Sequence, residues 1–235
     1  MIERKKPEEF DQFADTYNDL LEKQLSVLNR DIGYFAEYKI AKVFSKTEAF
    51  PRKILDFGCG TGRSIPYLKK YFPDSKISGC DVSVKSLRAA SKNFPYADFY
   101  LVSELALQKN QPKFDLVLAA GILHHIPINE RHQTLKKIAS LMDFNADLFI
   151  FEQNPLNPVT KYFVNTCPFD ENASLLKRKD ALDGIEQSGM EVKSSGYTLF
   201  FPGFLKPLRR FEPYLEWLPL GGQYYIHAVN KPLRA

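Results

Sequence analysis

The sequence predicts an α/β fold, with a mostly parallel sheet of seven strands, helices on both of its faces and a helical lid at the N-terminus. First, short apolar runs alternate with helical stretches from position 51 onward, which is typical of parallel strands buried on both faces. Second, no long helix separates the last two strands, so one of them should run antiparallel. Third, 44% of the residues are hydrophobic and 14% aromatic, which indicates a chain with a folded core.

The individual elements follow from these patterns in chain order. Apolar side chains recur at helical spacing in two N-terminal stretches, 8–29 and 31–46, before Pro51 interrupts the pattern. The predicted strands are the apolar runs at 53–57, 76–80, 98–102, 114–120, 148–152, 190–199 and 223–230. The predicted helices between them cover 63–71, 84–93, 130–142 and 174–187, and Ser83 is predicted to cap the second of these.

Composition excludes several classes of protein. The net charge of +4 is too small to indicate nucleic-acid binding by itself, and no run approaches the roughly 20 apolar residues of a membrane-spanning helix. The three cysteines show no CxxC or Cys/His ligand spacing, so neither a disulfide framework nor a metal site is predicted. No apolar segment follows the charged N-terminus, so we expect the protein in the reducing cytoplasm.

The strongest local signal is a glycine turn between the first predicted strand and the next helix. Positions 56–62 read Asp-Phe-Gly-Cys-Gly-Thr-Gly. Glycines let the backbone approach a ligand closely, and the free N–H groups at the start of the helix favour an electron-rich partner. The spacing GxGxG is neither the GxGxxG of a dinucleotide site nor a P-loop. Asp56 beside the turn would repel a pyrophosphate but attract a cationic ligand.

A second carboxylate, Asp81, ends the next predicted strand. In a βαβ unit, an acidic side chain at this position accepts hydrogen bonds from ribose hydroxyls. A ligand that suits both carboxylates has a ribose, a cationic portion and no phosphate. S-adenosylmethionine meets this description, because it carries an ammonium and a sulfonium group. Asp56 and the glycine spacing both disfavour a dinucleotide oxidoreductase.

These motifs resemble those of class I S-adenosylmethionine-dependent methyltransferases that act on small molecules, whose sheet is Rossmann-like. The matching segments are LDFGCGTG at 55–62, GCDVS at 79–83, FDLVL at 114–118 and LHHIP at 123–127. The resemblance implies that the glycine turn contacts the methionine part of the cofactor, that Asp81 binds the ribose and that Ser103 and Glu104 lie beside the adenine. The cofactor-binding residues predicted on this basis are Asp56, Gly58, Cys59, Gly60, Gly62, Asp81, Val82, Ser103, Glu104, Ala120 and Tyr17.

Methyl transfer from a sulfonium is an in-line displacement, so the protein must mainly hold the acceptor near the methyl group and exclude water. His124 and His125 follow the fourth strand, where the methyl group is expected, and either could accept a proton from the acceptor. Alternatively, both histidines only pack the loop. Glu152 ends the fifth strand, and it either binds an acceptor hydroxyl or amine or caps the loop. His132 and His227 are predicted to be structural.

The predicted organisation is a single methyltransferase domain over 1–235, with a helical cap at 1–50, a cofactor-binding core at 51–152 and an acceptor-side half at 153–235. Two insertions in the last part, 153–173 and 200–222, follow strands and should lie at the carboxyl edge of the sheet, where α/β sheets bind ligands. Their many Phe, Tyr and Pro residues make them candidates for an acceptor pocket. Segment 200–222 would cover an apolar or anionic acceptor, or contact a membrane surface or a partner subunit.

The predicted function is therefore methyl transfer to a small-molecule acceptor. A nucleic-acid acceptor is not expected, because no Asn-Pro-Pro-Tyr type of motif follows the fourth strand. Two alternatives remain, namely a methyltransferase that acts on a protein side chain and a non-catalytic cofactor-binding module of the same fold. The intact glycine turn and Asp81 argue against the second alternative. The identity of the acceptor and the oligomeric state stay open.

Overall fold

A computed structural model of the chain describes residues 11, 32–107 and 112–231. Its strands are β1 (Lys53–Phe57), β2 (Lys76–Asp81), β3 (Asp98–Leu101), β4 (Phe114–Ala120), β5 (Met142–Gln153), β6 (Met190–Thr198) and β7 (Gln223–Asn230). They form one seven-stranded sheet in the order β3-β2-β1-β4-β5-β7-β6. The predicted sheet of seven strands is therefore confirmed.

The direction of the strands defines where a ligand can bind. β1 to β5 pair in parallel, whereas β7 lies between β5 and β6 and runs antiparallel to both, as predicted for one of the last two strands. The chain order reverses between β1 and β4, which are neighbours in the sheet. In open α/β sheets the crevice for ligands lies at this reversal, outside the carboxyl ends of the strands.

Helices cover both faces of the sheet. They are α1 (Ile32–Lys46), α2 (Ile65–Tyr71), α3 (Val84–Asn93), α4 (Val102–Leu107), α5 (Ile128–Leu141), α6 (Pro158–Thr166) and α7 (Arg178–Gln187). Successive side chains of β5 point to opposite faces of the sheet and so belong to two hydrophobic cores. Leu148 and Ile150 pack with α5 and α7, while Phe149 and Phe151 pack with α1 and α2. Ser83 caps α3, because its hydroxyl accepts a hydrogen bond from the Ser86 N–H at 3.0 Å.

The described N-terminal helix, α1, packs against α2. The ring of Phe44 lies 5.6 Å from that of Tyr71 and 5.5 Å from that of Phe72, measured between centroids. The predicted helix at 8–29 lies outside the described residues except for Asp11. The division into cap, cofactor-binding core and acceptor-side half stays a prediction. Among the residues described, no helix has the length and apolar character needed to cross a membrane.

Several element boundaries differ from the prediction for local reasons. The third strand ends at Leu101, and Val102 begins α4 instead of extending the strand. β5 begins at Met142 instead of 148, because Met142 already pairs with Phe114 of β4. Between this pair and the pair of Leu116 with Asp147 the register shifts, and Asn145 adopts a φ of 59°. Asparagine tolerates this left-handed conformation better than most residues. The residues just before 148, which the sequence pattern leaves outside the strand, thus form an irregular part of it.

The two insertions lie at the carboxyl edge of the sheet, as predicted. The first contains α6, whose N-cap Asn157 accepts a hydrogen bond from the Thr160 N–H at 3.0 Å. The second contains a 3-10 helical segment, Gly203–Leu215. Asn154 joins the two insertions, since its Nδ2 donates hydrogen bonds to the carbonyls of Gly221 at 2.7 Å and Pro219 at 3.1 Å.

Candidate functional site

The glycine turn connects β1 to α2 at the reversal of strand order. The N–H groups of Gly58 and Cys59 donate to the carbonyl of Cys80 at 2.7 and 3.0 Å, which fixes the turn to the end of β2. Gly62 has a φ of 85°, and a Cβ there would lie 2.9 Å from the ring of Phe94. Gly60 has a φ of 54°, yet a Cβ there would meet no described atom within 4 Å. Gly62 therefore serves packing, whereas the space above Gly60 is open to a ligand.

Asp81 holds this turn from the end of β2. Its Oδ2 accepts a hydrogen bond from the Gly60 N–H at 2.8 Å, and its Oδ1 accepts one from the Ser83 N–H at 2.9 Å. Burial raises the pKa of Asp81, while these backbone hydrogen bonds oppose the increase. An ionised carboxylate has about four lone-pair sites, so these two contacts leave capacity for hydroxyl groups of a ligand.

Asp56 provides a second carboxylate near the end of β1. It is 3% exposed, and its Oδ2 is buried without a hydrogen-bond partner among the described residues. Burial raises the pKa of Asp56 to about 7, although a hydrogen bond from Ser64 and the charges of Lys39 and Arg63 act to lower it. The Thr61 hydroxyl oxygen is also buried without a partner in the same part of the structure. Unsatisfied buried polar atoms beside an open glycine indicate a ligand site.

Lys39 brings a positive charge from α1 to the same edge. Burial lowers the pKa of Lys39 to about 8, and Arg63 acts in the same direction, whereas the carboxylates of Glu152 and Asp56 oppose the shift. Its Nζ lies 6.0 Å from the ring centre of Phe151, near the end of β5. This ammonium group is available to an anionic part of a ligand. No motif marks Lys39, because a lysine on a helix usually belongs to a solvated face.

Glu152 organises the loop that follows β4. Its Oε1 accepts hydrogen bonds from the N–H groups of Ile122 at 2.9 Å and Leu123 at 2.6 Å, and its Oε2 lies 2.6 Å from His124 Nδ1. Burial opposes ionisation of Glu152, but the charge of His124 and the backbone donors lower its pKa. These contacts favour the loop-capping alternative for Glu152.

Asp170 forms a cluster with His124 and His125. It lies in the first insertion, and no sequence motif around it predicts that it belongs to the site. Its Oδ1 lies 3.6 Å from His124 Nε2 and 3.4 Å from His125 Nε2. Burial opposes a charge on His124, but Glu152 and Asp170 raise its pKa to about 9. One possible ligand atom from each of the three residues lies within 4.8 Å of the others, and such a set can coordinate a divalent ion. That the site works without a metal stays a prediction.

The first insertion is joined to the histidine loop through Ser174. The Ser174 N–H donates to the carbonyl of His124 at 2.7 Å, and Arg131 Nη2 donates to the carbonyl of Ser174 at 2.5 Å. Ser174 lies in a segment without regular secondary structure, and α7 begins at Arg178 instead of at 174 as predicted. These bonds hold Asp170 and the histidines on one side of the sheet edge.

The other predicted cofactor-binding residues are spread along the same edge. Ser103 and Glu104 lie on α4 directly after β3 and are exposed, and Val82 is 42% exposed after β2. Cys59 is buried, and burial raises the pKa of its thiol, which suits a packing role. Ala120 ends β4 and is half-buried. Their contacts with a cofactor stay predictions.

The N-terminal segment and His227 are other parts of the chain for which the sequence gives an expectation. Tyr17 lies outside the described residues. Asp11 accepts a hydrogen bond from the Ser83 hydroxyl at 2.6 Å, so this residue lies next to the loop that carries Asp81. His227 lies 2.7 Å from Asp147 and its ring stacks on Phe149, a structural environment as expected.

Residues 55–148 match the protein family described as methyltransferase domain. A trans-aconitate 2-methyltransferase of Rhodopseudomonas palustris is 25% identical over 142 residues, which cover 60% of this chain and 54% of the relative. A demethylmenaquinone methyltransferase of Thermotoga maritima is 29% identical over 154 residues, which cover 66% of this chain and 63% of the relative. This chain thus matches 54% and 63% of the lengths of these relatives.

Solved structures share the fold over most of the chain. A S-adenosylmethionine-dependent methyltransferase of Archaeoglobus fulgidus has a TM-score of 0.68 at 16% identity and covers 91% of this chain and 99% of that one. Magnesium protoporphyrin IX methyltransferase of Synechocystis, solved with bound S-adenosylmethionine, has a TM-score of 0.61 at 18% identity and covers 94% of each chain. Together with the family match, this shared fold confirms the resemblance to class I S-adenosylmethionine-dependent methyltransferases.

Proposed function

We propose that this chain is an S-adenosylmethionine-dependent methyltransferase that transfers a methyl group to a small-molecule acceptor. The observation that carries the proposal is the pair of carboxylates, Asp56 and Asp81, on either side of the open turn at Gly60. Asp56 suits a cationic group of the cofactor and would repel the phosphates of a dinucleotide, and Asp81 suits the hydroxyls of a ribose.

The residues at this edge offer a group for each part of the cofactor. The unsatisfied Oδ2 of Asp56 suits the ammonium group, and the spare lone pairs of Asp81 suit the ribose hydroxyls. Ser103 and Glu104, directly after β3, are the proposed neighbours of the adenine. The open space above Gly60 supports this arrangement, because any side chain there would enter it.

When bound, the cofactor supplies an electrophilic methyl group on its sulfonium. The residues of the chain then have to hold the acceptor in line with that methyl group and keep water away. We place the acceptor beside the loop after β4, where His124, His125 and Glu152 come together with Asp170. Glu152 and Asp170 orient His124, and His125 is the proposed proton acceptor for an oxygen acceptor.

The acceptor class is supported by the names of the relatives, one of which refers to trans-aconitate and the other to demethylmenaquinone. Both are small molecules. The proposal therefore extends to the class of acceptor and leaves the particular compound to experiment.

A screen for methyl incorporation tests the proposal. The protein is incubated with S-adenosylmethionine labelled in the methyl group and with a panel of small carboxylates, phenols and quinols, and the Asp81→Ala variant serves as the blank. Transfer to a small molecule that the variant loses supports the proposal. Transfer to protein side chains alone would instead support the protein-methylating alternative, and cofactor binding without transfer would support a non-catalytic module.

We also propose that the N-terminal segment 1–50 caps the cofactor. The contact between Asp11 and Ser83 supports this role, because it lies next to Asp81 in the chain. Limited proteolysis with and without S-adenosylhomocysteine tests it: protection of 1–31 by the ligand is expected, and equal cleavage would contradict a cap. A cytoplasmic location is proposed from the three free, buried cysteines.

A further inference from the structure

In the connection between β6 and β7, a charged side chain is buried while several aromatic side chains are exposed. Within the 3-10 segment, Glu212 is 2% exposed, whereas Phe204 is 68% and Tyr214 76% exposed. Phe211 is 44% exposed, and Trp217, just after the segment, is 73% exposed. A buried glutamate and a group of exposed aromatic rings both depart from the usual distribution, and grouped rings of this kind mark contact surfaces.

The buried glutamate and its neighbour hold the segment in place. Glu212 accepts hydrogen bonds from the N–H groups of Leu199 and Phe201 at 3.3 and 3.2 Å. The carboxylate of Glu216 accepts hydrogen bonds from Lys42 Nζ at 2.7 Å and from the Tyr225 hydroxyl at 2.5 Å. The outward position of the rings is therefore fixed by polar contacts on the inward side of the segment.

The helical geometry separates the two sides. In a 3-10 helix, residues three apart lie on the same side. Beyond an interruption of the helix at Leu205, Leu208, Phe211 and Tyr214 repeat at this spacing on the outward side and are all exposed. Arg209 and Glu212 form part of the inward side, and Lys206, at the same spacing, is exposed at the start of that side. Leu208, Phe211 and Tyr214 therefore form an exposed apolar ridge.

The charges exposed on this connection have one sign. Lys206 and Arg210 are exposed, while Glu212 is buried and Glu216 is paired with Lys42 at 2.7 Å. Both cations therefore lie on the same connection as the exposed rings. We call this surface the aromatic–basic face; it consists of Phe204, Lys206, Arg210, Phe211, Tyr214 and Trp217.

Neighbouring residues continue the same chemistry. The Asn157 side chain donates a hydrogen bond to the carbonyl of Leu220 at 2.6 Å, which joins α6 to the end of the connection. On α6, Val159 and Tyr162 are 50% and 65% exposed, and Lys161 is exposed between them. The insertion after β5 thus adds apolar and cationic groups near this connection.

We propose that the aromatic–basic face docks the protein on an anionic lipid surface. Tryptophan and tyrosine rings are suited to the boundary between headgroups and acyl chains, and lysine and arginine are attracted to anionic headgroups. A second copy of the chain fits less well, because a symmetric contact would bring the cationic face of one copy against the cationic face of the other.

Docking would also orient the sheet edge that carries the candidate site. Gln223, where the connection ends, pairs with Gln153 at the end of β5, and the next residue, Tyr224, pairs with Glu152, so the connection ends beside Glu152. An acceptor dissolved in the lipid could then reach this edge without crossing water. Only this last step rests on the proposed function, since docking itself needs no methyl transfer.

Trp217 gives a direct test, because it is the only tryptophan in the chain. The wild-type protein is titrated with vesicles of equal parts phosphatidylcholine and phosphatidylglycerol, and with vesicles of phosphatidylcholine alone. We expect a saturable blue shift of the Trp217 emission with the anionic vesicles and a much weaker one with the neutral vesicles. Unchanged emission with the anionic vesicles would overturn the proposal, even if the protein sediments with them.

A charge variant tests the role of the cations. Lys206→Gln with Arg210→Gln should weaken binding to the anionic vesicles by roughly tenfold or more, since each surface cation contributes to the attraction. Equal binding of variant and wild type would contradict the proposal. Calorimetry with S-adenosylhomocysteine on the same variant should give the wild-type affinity, so that failure of docking and failure of the proposed function are told apart.

A ring variant with a matched control tests the role of the aromatic side chains. Phe204→Ser with Tyr214→Ser should lose vesicle binding, whereas Tyr96→Ser with Phe144→Ser, which alter rings 52% and 62% exposed elsewhere, should keep it. Equal loss in both variants would overturn the proposal. Light scattering of the wild type and the ring variant gives the oligomeric state, and a wild-type dimer that the ring variant dissociates, without vesicle binding, would assign the face to a second copy instead.

Discussion

The Oδ2 atom of Asp81 accepts a hydrogen bond from the backbone N–H of Gly60 at 2.8 Å, which joins the end of β2 to the turn after β1. The same carboxylate accepts the Ser83 N–H at 2.9 Å, so a single side chain orders two loops of the crevice. Because the proposed ribose contacts would use its remaining lone pairs, we expect the position of the turn and the binding of the cofactor to be coupled through Asp81.

Replacing Asp81 by alanine should therefore weaken the affinity for S-adenosylhomocysteine by roughly 1–3 kcal/mol, the range for loss of hydrogen bonds to a charged group. Asp98→Ala is the matched control. Asp98 lies on neighbouring β3, and both Asp98 and its ion-pair partner Lys76, 2.9 Å away, are well exposed. The control should bind as the wild type does. Calorimetry on the two variants measures this, and equal affinities would show that Asp81 has another role.

Alanine substitutions at Gly60 and Gly58 should have different effects, because a Cβ at Gly60 would enter open space whereas a Cβ at Gly58 would meet a packed side chain. Gly60→Ala should abolish most cofactor binding while the fold loses only about 1–2 kcal/mol, the cost of a left-handed alanine, because its Cβ meets no described atom. Gly58→Ala should destabilise the fold further, since its Cβ would lie 2.4 Å from the Ile122 side chain. Chemical denaturation and ligand titration give both quantities. Retained binding in Gly60→Ala would mean that the open space is not used by the cofactor.

The affinity for the cofactor should depend on pH through Asp56. Burial raises the pKa of Asp56 to about 7, and a cationic ligand binds the ionised carboxylate more tightly than the protonated one. Binding should consequently strengthen as the pH rises through about 7 and weaken below it. Titration of wild type and Asp56→Asn over this range measures the effect. A pH dependence that persists in the variant would have to be assigned to another group.

The loop after β4 should depend on Glu152 for its stability. Glu152→Gln leaves the buried His124 without its charged partner, and breaking such a pair costs about 3 kcal/mol of unfolding free energy. Glu191→Gln is the control, since Glu191 is exposed and its ion pairs with Lys193 and Lys231 lie at the surface. Urea unfolding should show a large shift for the first variant and none for the second; similar midpoints would remove the proposed anchoring role.

The proton-acceptor role proposed for His125 has its own test once an acceptor is known. His125→Gln should lower kcat by about 100-fold or more for an oxygen acceptor, which is the usual contribution of a general base, and should leave cofactor affinity unchanged. His132→Gln, an exposed histidine on α5, should turn over normally. If His125→Gln also turns over normally, the base is water or another group.

Much of the fold could be predicted because each strand is a short apolar run between turn residues. β1, β4 and β7 have the predicted bounds, since both faces of these strands are buried. The start of β5 was not predictable in this way, because it depends on the left-handed Asn145 and a shift in register. The helix α6 was not predicted either, although Asn157 followed by Pro158 is a capping signal.

The candidate site was predictable where a residue stands in a compact motif. Asp56, Gly60 and Asp81 follow directly from the turn and the ends of two strands. Lys39 and Asp170 could not be predicted as site residues, because each lies on a separate element and reaches the site only through tertiary packing. For the rings of 200–222 the sequence left open a cover over the acceptor and a contact with a membrane surface or a partner subunit. Several of these rings are exposed, whereas Glu212 is buried on the inward side of that segment.

Calorimetric titration of the wild-type protein with S-adenosylhomocysteine, and in parallel with NAD, tests the central claim most directly. We predict saturable binding of S-adenosylhomocysteine at one site per chain and no binding of NAD. Asp81 suits the ribose of either ligand, whereas Asp56 favours a cationic group and repels a pyrophosphate. Binding of NAD without binding of S-adenosylhomocysteine would contradict the assignment of this chain as a methyltransferase.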